Sequence, residues 1–371
     1  MTPTSSADIR RHLCRRCALL GIPASGIFEL TPRCNLNCKM CYVRLTPEQM
    51  APIGKEKSAE EWLALAKDAK DAGMVFLLIT GGEPTLRKDF AEIYRGLAQM
   101  GLSISINTNG TMITPEIKEV FTEFPPAQIN LTLYGVSGED YLELCSNSKA
   151  YDAVIDALNW FAEKNILVHL NATITPDNIS KWKSFEDFAK ARNLELRTTS
   201  YCFPPTRRSA CDKCAEFSRL TPEQAGTFMA EEILYSQGID AIRKRAANLD
   251  APNQKSCDLD LGEPMQCLAG RSQFWLTWDG RLTPCGMLNT PNTKAFDEGF
   301  TSAWQKLSKA VSDIRLCAEC NTCEIQHSCM NCAAVTYAET GNFSGKPEYM
   351  CKLNKAYRKA IKDISEKFQR Q

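Results

Sequence analysis

Residues 31–42 read Thr31-Pro32-Arg33-Cys34-Asn35-Leu36-Asn37-Cys38-Lys39-Met40-Cys41-Tyr42 and decide how the whole chain is interpreted. The three cysteines are separated by three and then by two residues, so they fall on one short loop. Three thiolates on such a loop can ligate three irons of a [4Fe–4S] cubane and leave the fourth iron open to a small molecule. The alternative is a structural zinc site, but zinc needs four closed ligands. No fourth Cys or His lies nearby in the sequence.

A second motif, Thr80-Gly81-Gly82-Glu83-Pro84, comes directly after the apolar run from Met74 to Ile79. The two motifs in this order resemble the radical S-adenosylmethionine (SAM) superfamily. The resemblance implies that the open iron chelates the amino acid end of SAM. It also implies that one-electron reduction of SAM yields a 5′-deoxyadenosyl radical, which abstracts a hydrogen atom from the substrate.

The composition excludes several classes of protein. The chain has 371 residues, 44% of them hydrophobic, and a formal net charge of zero, so no electrostatic footprint for nucleic acid is visible. Residues 1–13 lack the apolar stretch of a signal peptide, and no run approaches the roughly 18 apolar residues of a membrane span. The 18 cysteines of an apparently unexported chain favour metal binding over disulfides. We therefore expect a cytoplasmic and anaerobic setting, with no membrane and no nucleic acid as partners.

Short apolar or alternating runs take turns with helical stretches along the first half of the chain. Ser58-x-x-Glu61 reads as a capping box that opens a helix through Lys70, and Thr114-Pro115 places a cap and a first-turn proline. Further helical periodicity covers residues 151–164 and 181–192. The predicted strands are Ile27–Leu30, Met74–Thr80, Leu102–Asn107, Gln128–Tyr134, Leu167–Ile174 and Leu194–Thr199. Six strand–helix units predict an α/β fold with a parallel sheet, an open (β/α)6 partial TIM barrel. This is also the fold that the resemblance implies, over residues 26 to about 200.

Polar and apolar residues alternate in four of these strands, as in His169/Asn171/Thr173 against Val168/Leu170/Ala172. Successive side chains of a strand point to opposite faces, and the face under the helices must be apolar. The polar set is therefore expected to line the barrel interior as a cavity for a polar ligand. Half-exposed antiparallel strands would alternate in the same way, although they fit the α/β order of elements badly.

The resemblance assigns SAM contacts to residues at the carboxyl ends of the strands. Gly81-Gly82-Glu83 matches the family's GGE motif, whose glycines allow close approach and whose glutamate accepts from the SAM ammonium group. Thr132 stands where relatives have a serine that contacts SAM. Met40 precedes the third cysteine, a position that is often aromatic in relatives and whose backbone touches the adenine.

The group that holds the SAM carboxylate is left open by the sequence. Many relatives place an arginine shortly after the fourth strand, whereas residues 140–143 of this chain contain none. Arg197 is the first candidate for that role, and His169 and Asn171 are lesser ones.

A second region rich in cysteine begins near Cys257, and it resembles the SPASM domain, an auxiliary-cluster module of radical SAM enzymes. The family spacing ends x3-C where this chain has x2-C, and Cys317 is an extra neighbour. The resemblance implies one [4Fe–4S] cluster on Cys267, Cys285 and Cys332, with Cys257 as its fourth ligand. It implies another on Cys320, Cys323, Cys329 and Cys351. The alternative is a pair of zinc knuckles built from the same Cys-x-x-Cys pairs.

These assignments divide the chain into an N-terminal segment (1–25), a radical SAM partial barrel (26–218), a helical linker (219–255) and a SPASM domain (256–371). A final helix carries an apolar stripe from Leu353 to Phe368, which predicts packing rather than a partner site. Arg207 and Arg208 can bind an acidic substrate or simply face solvent. Seven cysteines stay without an assigned role: Cys14, Cys17, Cys145, Cys202, Cys211, Cys214 and Cys317.

Relatives with this layout form thioether or carbon–carbon cross-links in ribosomal peptides, or oxidise a protein side chain. The resemblance therefore implies an enzyme that cleaves SAM reductively and oxidises a peptide or protein, with three [4Fe–4S] clusters. The alternative is a SPASM-type enzyme acting on a small molecule. An external electron donor such as flavodoxin or ferredoxin is implied. Residues 1–25 are too few for a leader-binding domain, so we expect a separate leader-binding protein or direct reading of the substrate.

Overall fold

The computed structural model describes residues 6–203, 219–249, 265 and 267–368. Within these ranges the strands are β1 Ser25–Glu29, β2 Phe76–Thr80, β3 Ser103–Thr108, β4 Gln128–Thr132, β5 Val168–Thr173, β6 Glu195–Thr199, β7 Gln273–Leu276, β8 Arg281–Thr283 and β9 Thr293–Lys294. The helices are α1 Ser6–Leu20, α2 Pro47–Met50, α3 Ala59–Asp71, α4 Phe90–Gln99, α5 Pro115–Glu123, α6 Gly138–Cys145, α7 Ala150–Glu163, α8 Trp182–Ala191, α9 Pro222–Gln237, α10 Ile239–Leu249, α11 Ala295–Glu298, α12 Phe300–Ser312, α13 Ala333–Thr340 and α14 Glu348–Lys367.

The nine strands form one sheet in the order β6-β5-β4-β3-β2-β1-β7-β8-β9. The first five strands pair in parallel with their neighbours in chain order, with Ile27 opposite Leu78 and Thr132 opposite Asn171. The sixth predicted strand is also present, at the edge of the sheet. The predicted α/β class with an open parallel sheet is therefore confirmed, and each predicted strand differs from the observed one by at most two residues at either end.

The sheet continues beyond the six predicted strands because β7 pairs in parallel with β1, placing Trp275 opposite Ile27. Two short antiparallel strands, β8 and β9, then complete the edge. Residues 273–294 were expected to belong to the auxiliary-cluster domain, but their backbone hydrogen bonds extend the barrel sheet instead.

The chain divides into two compact units. The first contains residues 1–172, 189–197 and 267–312, and the second contains 173–188, 198–266 and 313–371. The sheet therefore belongs to the first unit apart from the last residues of β5 and β6. This division differs from the predicted boundaries of 218 and 256, because a stretch of the presumed C-terminal domain pairs with β1.

The core of the first unit lies between the sheet and its helices. Phe28 stacks at 5.1 Å on Trp62 of α3 and at 6.4 Å on Phe274 of β7, measured between ring centroids. The capping box predicted for α3 is present, since Ser58 accepts from the Glu61 amide while Glu61 accepts from the Ser58 amide. These contacts fix the outer, apolar face of the sheet.

The core of the second unit is helical. Ile233 of α9 and Ile242 and Leu249 of α10 are buried together with Ile361 of α14. Leu353 and Ile361 of the predicted stripe on the last helix are almost completely buried in this unit, whereas Phe368 at its end is 37% exposed. No helix among the described residues has both the length and the apolar character needed to cross a membrane.

Candidate functional site

The predicted site residues follow the carboxyl ends of neighbouring parallel strands. The three-cysteine loop follows β1, Gly81-Gly82-Glu83 follows β2, and Thr132 ends β4 opposite Asn171 of β5. Because these strands are parallel, their carboxyl ends meet at one edge of the sheet, where α/β proteins bind their ligands.

Backbone contacts between the first two loops explain the two adjacent glycines. The Gly82 amide donates to the Thr31 carbonyl at 2.7 Å, and the Glu83 amide donates to the Arg33 carbonyl at 2.8 Å. A Cβ on Gly81 would lie 2.5 Å from the Thr31 carbonyl oxygen, and one on Gly82 would lie 2.3 Å from the Arg33 carbonyl oxygen. The glycines therefore let the β2 turn dock against the residues that lead into the cysteine loop.

A network of charged side chains around the buried Arg87 holds the same residues. Glu56 binds both the Thr31 hydroxyl and the Arg33 guanidinium, the latter through two contacts of 2.8 Å. Arg87 is almost fully buried and donates to the Leu30 and Lys57 carbonyls at 2.9 Å each. A buried guanidinium that binds carbonyls of two segments fixes their separation. The start of the cysteine loop is thus held rigidly.

The middle of the cysteine loop is held by α6. The amides of Asn37 and Lys39 donate to the carbonyls of Cys145 and Leu144, at 3.2 and 3.1 Å. These amides flank Cys38, whose sulfur lies 3.5 Å from the Cys145 sulfur. A fourth cysteine therefore lies beside the loop in space, although none lies nearby in sequence.

The three predicted ligand thiols have surroundings that suit an iron–sulfur cluster. The Cys34 sulfur accepts from the Leu36 amide at 3.4 Å, and the Cys41 sulfur accepts from the Arg44 amide at 3.3 Å. Burial raises the pKa of the Cys34 thiol to about 12, so this group needs the positive charge of bound metal to become a thiolate.

A cluster and a single ion make different demands on the three thiols. Among the described residues, no three Cys, His, Asp or Glu side chains converge closely enough to hold one metal ion. In a cubane each thiolate binds a different iron, so its ligands need not converge. Ligation of a [4Fe–4S] cluster by Cys34, Cys38 and Cys41 stays a prediction.

The Glu83 carboxylate makes more hydrogen bonds within the protein than the sequence indicated. Its carboxylate accepts from the Thr85 amide and hydroxyl at 3.1 and 2.6 Å, from the Thr108 hydroxyl at 2.8 Å and from the Asn109 amide at 2.7 Å. Burial raises the pKa of Glu83, although these four donors oppose the shift. The carboxylate therefore ties the β2 turn to the end of β3, and its predicted contact with the SAM ammonium group stays a prediction.

Asn109 is a site residue that the sequence reasoning missed. Its side-chain amide donates to the Cys34 sulfur at 3.7 Å and to the Asn35 side-chain oxygen at 3.0 Å, while its backbone amide binds Glu83. The signal was present in Asn109-Gly110 directly after β3, since polar residues at the carboxyl end of a parallel strand face the site.

The polar set of strands β3 to β5 is arranged as predicted, opposite a buried apolar set. Asn130 donates to the Asn107 side-chain oxygen at 2.9 Å, and Asn107 donates to the Thr80 hydroxyl at 3.5 Å. The two faces of this parallel sheet thus differ as expected for a polar barrel interior, which argues against half-exposed antiparallel strands.

The candidates for the SAM carboxylate contact differ in their exposure and in their partners. Arg197 is about half exposed and donates from Nε to Glu195 at 2.8 Å. His169 lies 3.4 Å from the other Glu195 oxygen, and burial lowers its pKa. Asn171 is half-buried, and so is Met40, whose backbone is predicted to contact the adenine. The structure therefore leaves the choice among the candidates open.

Five cysteines of the second unit are brought together. Electrostatic interactions link Cys320 with Cys317, Cys329 and Cys351, and link Cys323 with Cys329 and Cys351. Burial raises the pKa of Cys320 to about 12 and also raises the pKa of Cys329 and of Cys351. The four residues predicted to hold one auxiliary cluster are thus neighbours, with Cys317 beside them.

The other predicted set is divided. Cys267 and Cys285 belong to the first unit, Cys332 belongs to the second, and Cys257 lies outside the described residues. Cys202 is half-buried, and burial raises its pKa to about 11. Cys211, Cys214, Arg207 and Arg208 also lie outside the described residues.

Comparison with known proteins agrees with this geometry. Residues 28–189 match the family model described as the Radical SAM superfamily. Residues 28–189 therefore form a radical SAM domain, and the chain is an enzyme. A radical SAM domain implies a [4Fe–4S] cluster and SAM.

Curated relatives span most of the chain at low identity. The AdoMet-dependent heme synthase of Methanosarcina barkeri is 22% identical over 90% of this chain and 97% of its own length. The PqqA peptide cyclase of Rhizobium meliloti is 26% identical over 85% of this chain and 84% of its own length. The chain is similar to both.

A solved structure shares the fold. The structure of Streptococcus suis SuiB bound to precursor peptide SuiA has a TM-score of 0.66 and 18% identity, and covers 93% of this chain and 80% of that one. The likeness supports the barrel-like radical SAM architecture with an additional C-terminal region.

Proposed function

We propose that this enzyme oxidises a side chain of a ribosomal peptide or protein by two electrons, forming a thioether or carbon–carbon cross-link or a similar product. The observation that carries the proposal is the gathering of Cys320, Cys323, Cys329 and Cys351 in the second unit. A net oxidation needs an electron acceptor besides the radical chemistry, and a cluster on these thiolates would supply one. The proposal therefore gives this cysteine group a redox role.

Electron and atom balance define the reaction. Held by Cys34, Cys38 and Cys41, the cluster would supply, with SAM, the radical chemistry that removes one hydrogen atom from the substrate. The substrate would then lose one proton, and one electron to the cluster on the second cysteine group, so its mass would fall by two hydrogens when the new bond closes. The polar side chains of β3 to β5 would orient a polar substrate beside SAM, since correct placement is most of what the protein contributes.

The ligand assignments complete the proposal. Cys34, Cys38 and Cys41 would hold the SAM-binding cluster. The two auxiliary clusters of a SPASM domain would take the sets Cys257/Cys267/Cys285/Cys332 and Cys320/Cys323/Cys329/Cys351. Protein purified without oxygen should then contain about twelve irons and twelve sulfides per chain, because each cubane has four of each. Iron near eight per chain, or zinc in its place, would contradict the SPASM assignment.

A peptide substrate is supported by two of the similar proteins. One is named a peptide cyclase, and SuiB has been solved with a precursor peptide. We propose a cytoplasmic enzyme with an external electron donor such as flavodoxin or ferredoxin, and with a separate leader-binding protein or direct recognition of the substrate.

A small-molecule substrate is the second candidate. It is favoured by one observation, the match to an AdoMet-dependent heme synthase over 97% of that protein's length. The same barrel and the same auxiliary cysteines would serve a tetrapyrrole as well as a peptide. Formation of heme from a tetrapyrrole precursor, with no peptide changed, would decide for this candidate.

The deciding experiment uses peptides encoded beside the gene, incubated with the reconstituted enzyme, SAM and a reductant. Mass spectrometry should show a loss of two hydrogens, and deuterium from the attacked carbon should appear in 5′-deoxyadenosine. Exchange of a solvent hydrogen without loss of mass would indicate epimerisation and would overturn the oxidation. The matched control is the Cys351→Ala variant, which should cleave SAM without releasing the oxidised peptide.

A further inference from the structure

The sulfurs of the three-cysteine loop do not have the same neighbours. Cys34 and Cys41 each accept from a backbone amide, that of Leu36 or that of Arg44. Such contacts are usual where a loop wraps a cluster, because the amides of the loop point inward. They do not distinguish one of these ligands from the other.

Side chains reach two of the three sulfurs. Cys34 accepts from the Asn109 side-chain amide at 3.7 Å. Cys38 has two side-chain partners, the Cys145 sulfur at 3.5 Å and the Tyr134 hydroxyl. A Cys38 thiolate bound to iron would carry no hydrogen, so these two partners would be the donors. Cys145 is only 1% exposed and Tyr134 is half-buried. Cys38 is therefore the ligand with the larger set of side-chain donors.

Both donors are held in place by the fold. The amides of Asn37 and Lys39, on either side of Cys38, bind the carbonyls of the last turn of α6. This fixes Cys145, the last residue of that helix, against the loop. The ring of Tyr134 packs edge-on against Tyr141 at 5.7 Å between centroids. The contacts are thus built into the scaffold rather than made by free rotamers.

We propose that Cys145 and Tyr134 are positioning residues that donate S–H and O–H hydrogen bonds to the Cys38 sulfur and raise the reduction potential of the SAM-binding cluster. The inference rests on the proposed role of Cys38 as an iron ligand. It requires no change in the ligand set and no contact with the substrate.

The direction of the effect follows from charge. Adding an electron to the cluster increases the negative charge on its thiolate sulfurs, so a donor stabilises the reduced form more than the oxidised form. Removing a donor therefore lowers the reduction potential. The hydroxyl is a stronger donor than the thiol, so loss of the Tyr134 hydroxyl should have the larger effect.

The experiment is a redox titration of the reconstituted full-length protein, following the electron paramagnetic resonance signal that changes when SAM is added. This choice separates the SAM-binding cluster from any auxiliary cluster. The variants are Tyr134→Phe, Cys145→Ala and Cys145→Ser. The controls are Tyr94→Phe and Cys14→Ala. In the unaltered protein the Tyr94 hydroxyl donates to the Phe124 carbonyl, and Cys14 is buried against Cys17 and Ala24.

At the midpoint potential of the unaltered protein, Tyr134→Phe and Cys145→Ala should reduce the ratio of reduced to oxidised cluster by a factor of about two to ten, the equivalent of one hydrogen bond. Cys145→Ser keeps a donor, so its midpoint should lie above that of Cys145→Ala. A midpoint of Tyr134→Phe that matches Tyr94→Phe would overturn the inference, even if Cys145→Ala fails to fold. A midpoint of Cys145→Ser no higher than that of Cys145→Ala would also overturn it.

The underlying ligand assignment is tested separately by Cys38→Ala. Persistence of the SAM-responsive signal in Cys38→Ala would refute the ligand role itself. Loss of that signal in Cys145→Ala, with normal folding, would show that Cys145 is a ligand rather than a donor and would also overturn the inference. A lowered midpoint with the signal shape and iron content retained supports it.

Discussion

The two groups of cysteines differ in what holds them in place. The loop that carries Cys34, Cys38 and Cys41 is anchored on three sides, by the β2 turn, by the Glu56–Arg87 network and by the last turn of α6. Leu36 and Leu45 of the loop are buried. Many contacts with the rest of the protein thus hold this loop.

The cysteine group of the second unit is held mostly by its own short turns. The amide of Cys320 binds the carbonyl of Cys317, that of Cys323 binds the carbonyl of Cys320, and that of Cys329 binds the carbonyl of Gln326. Among the described residues from 318 to 332, only Asn321 is buried. A segment with so little apolar burial depends on cross-links for stability, and metal binding can provide them.

The largest effect on activity is expected when the three cysteines of the loop are replaced together. Replacing Cys34, Cys38 and Cys41 with alanine should abolish formation of 5′-deoxyadenosine, since only this loop is expected to leave an iron open for SAM. The loop should stay folded, so the protein should keep the iron of the auxiliary clusters. Cys14→Ala serves as the control. Continued release of 5′-deoxyadenosine from the triple variant would refute the assignment.

Removing one thiol of the second group should separate SAM cleavage from substrate oxidation. Cys351→Ala should lose about four irons per chain, the content of one cubane, and should stop releasing oxidised product. It should still cleave SAM. Hydrogen exchange should increase across residues 317–332 and stay unchanged across residues 30–45. Cys202→Ala is the matched control within the same unit, and equal product release by both variants would contradict the redox role.

The docking of the β2 turn can be weakened by one methyl group. In Gly82→Ala the new Cβ meets the Arg33 carbonyl oxygen, which cannot move without shifting the cysteine loop. Since misplacement by about 1 Å can cost roughly a hundredfold in rate, SAM cleavage should fall about 10- to 100-fold. In the control Gly54→Ala, the new Cβ meets only an atom at 3.7 Å. Equal rates in the two variants would show that the close approach has no importance.

The smallest effect is expected from Glu83→Gln. The oxygen of glutamine can still accept from Thr85 and Thr108, but its amide nitrogen cannot accept from the Asn109 amide that binds the other carboxylate oxygen. The free energy of unfolding should therefore fall by about 1–3 kcal/mol. The exposed Glu123, paired with Arg95, provides the control, and Glu123→Gln should change the same quantity by about 0–1 kcal/mol. Urea unfolding measures both. If the free energy of unfolding falls less in Glu83→Gln than in Glu123→Gln, Glu83 does not hold the β2 turn to the end of β3.

The sequence predicted what depends on local pattern. Six parallel strands, the capped helices and the polar face of β3 to β5 all follow from periodicity and turn chemistry within about twenty residues. The neighbours of the cysteine loop could not be found in this way, because Cys38 and Cys145 are 107 residues apart. Only the packing of α6 against the loop brings them together.

The strand β7 was missed for a different reason. It has four residues, Gln273–Leu276, and lies in a stretch interpreted through its cysteines alone. Its pairing with β1 depends on backbone hydrogen bonds to a strand about 250 residues earlier, which no local pattern records. Knowledge of motif spacing therefore could not predict this strand.

The anchoring of the cysteine loop has a consequence for how such enzymes can diversify. The hydrogen bonds from Gly82, Glu83, Asn37 and Lys39 all use main-chain amides and carbonyls, which every residue type except proline offers. Side chains at positions such as Lys39 and Met40 can therefore be replaced without dismantling the scaffold. Those positions are natural places for substitutions that change the surface of the loop and keep its backbone in place.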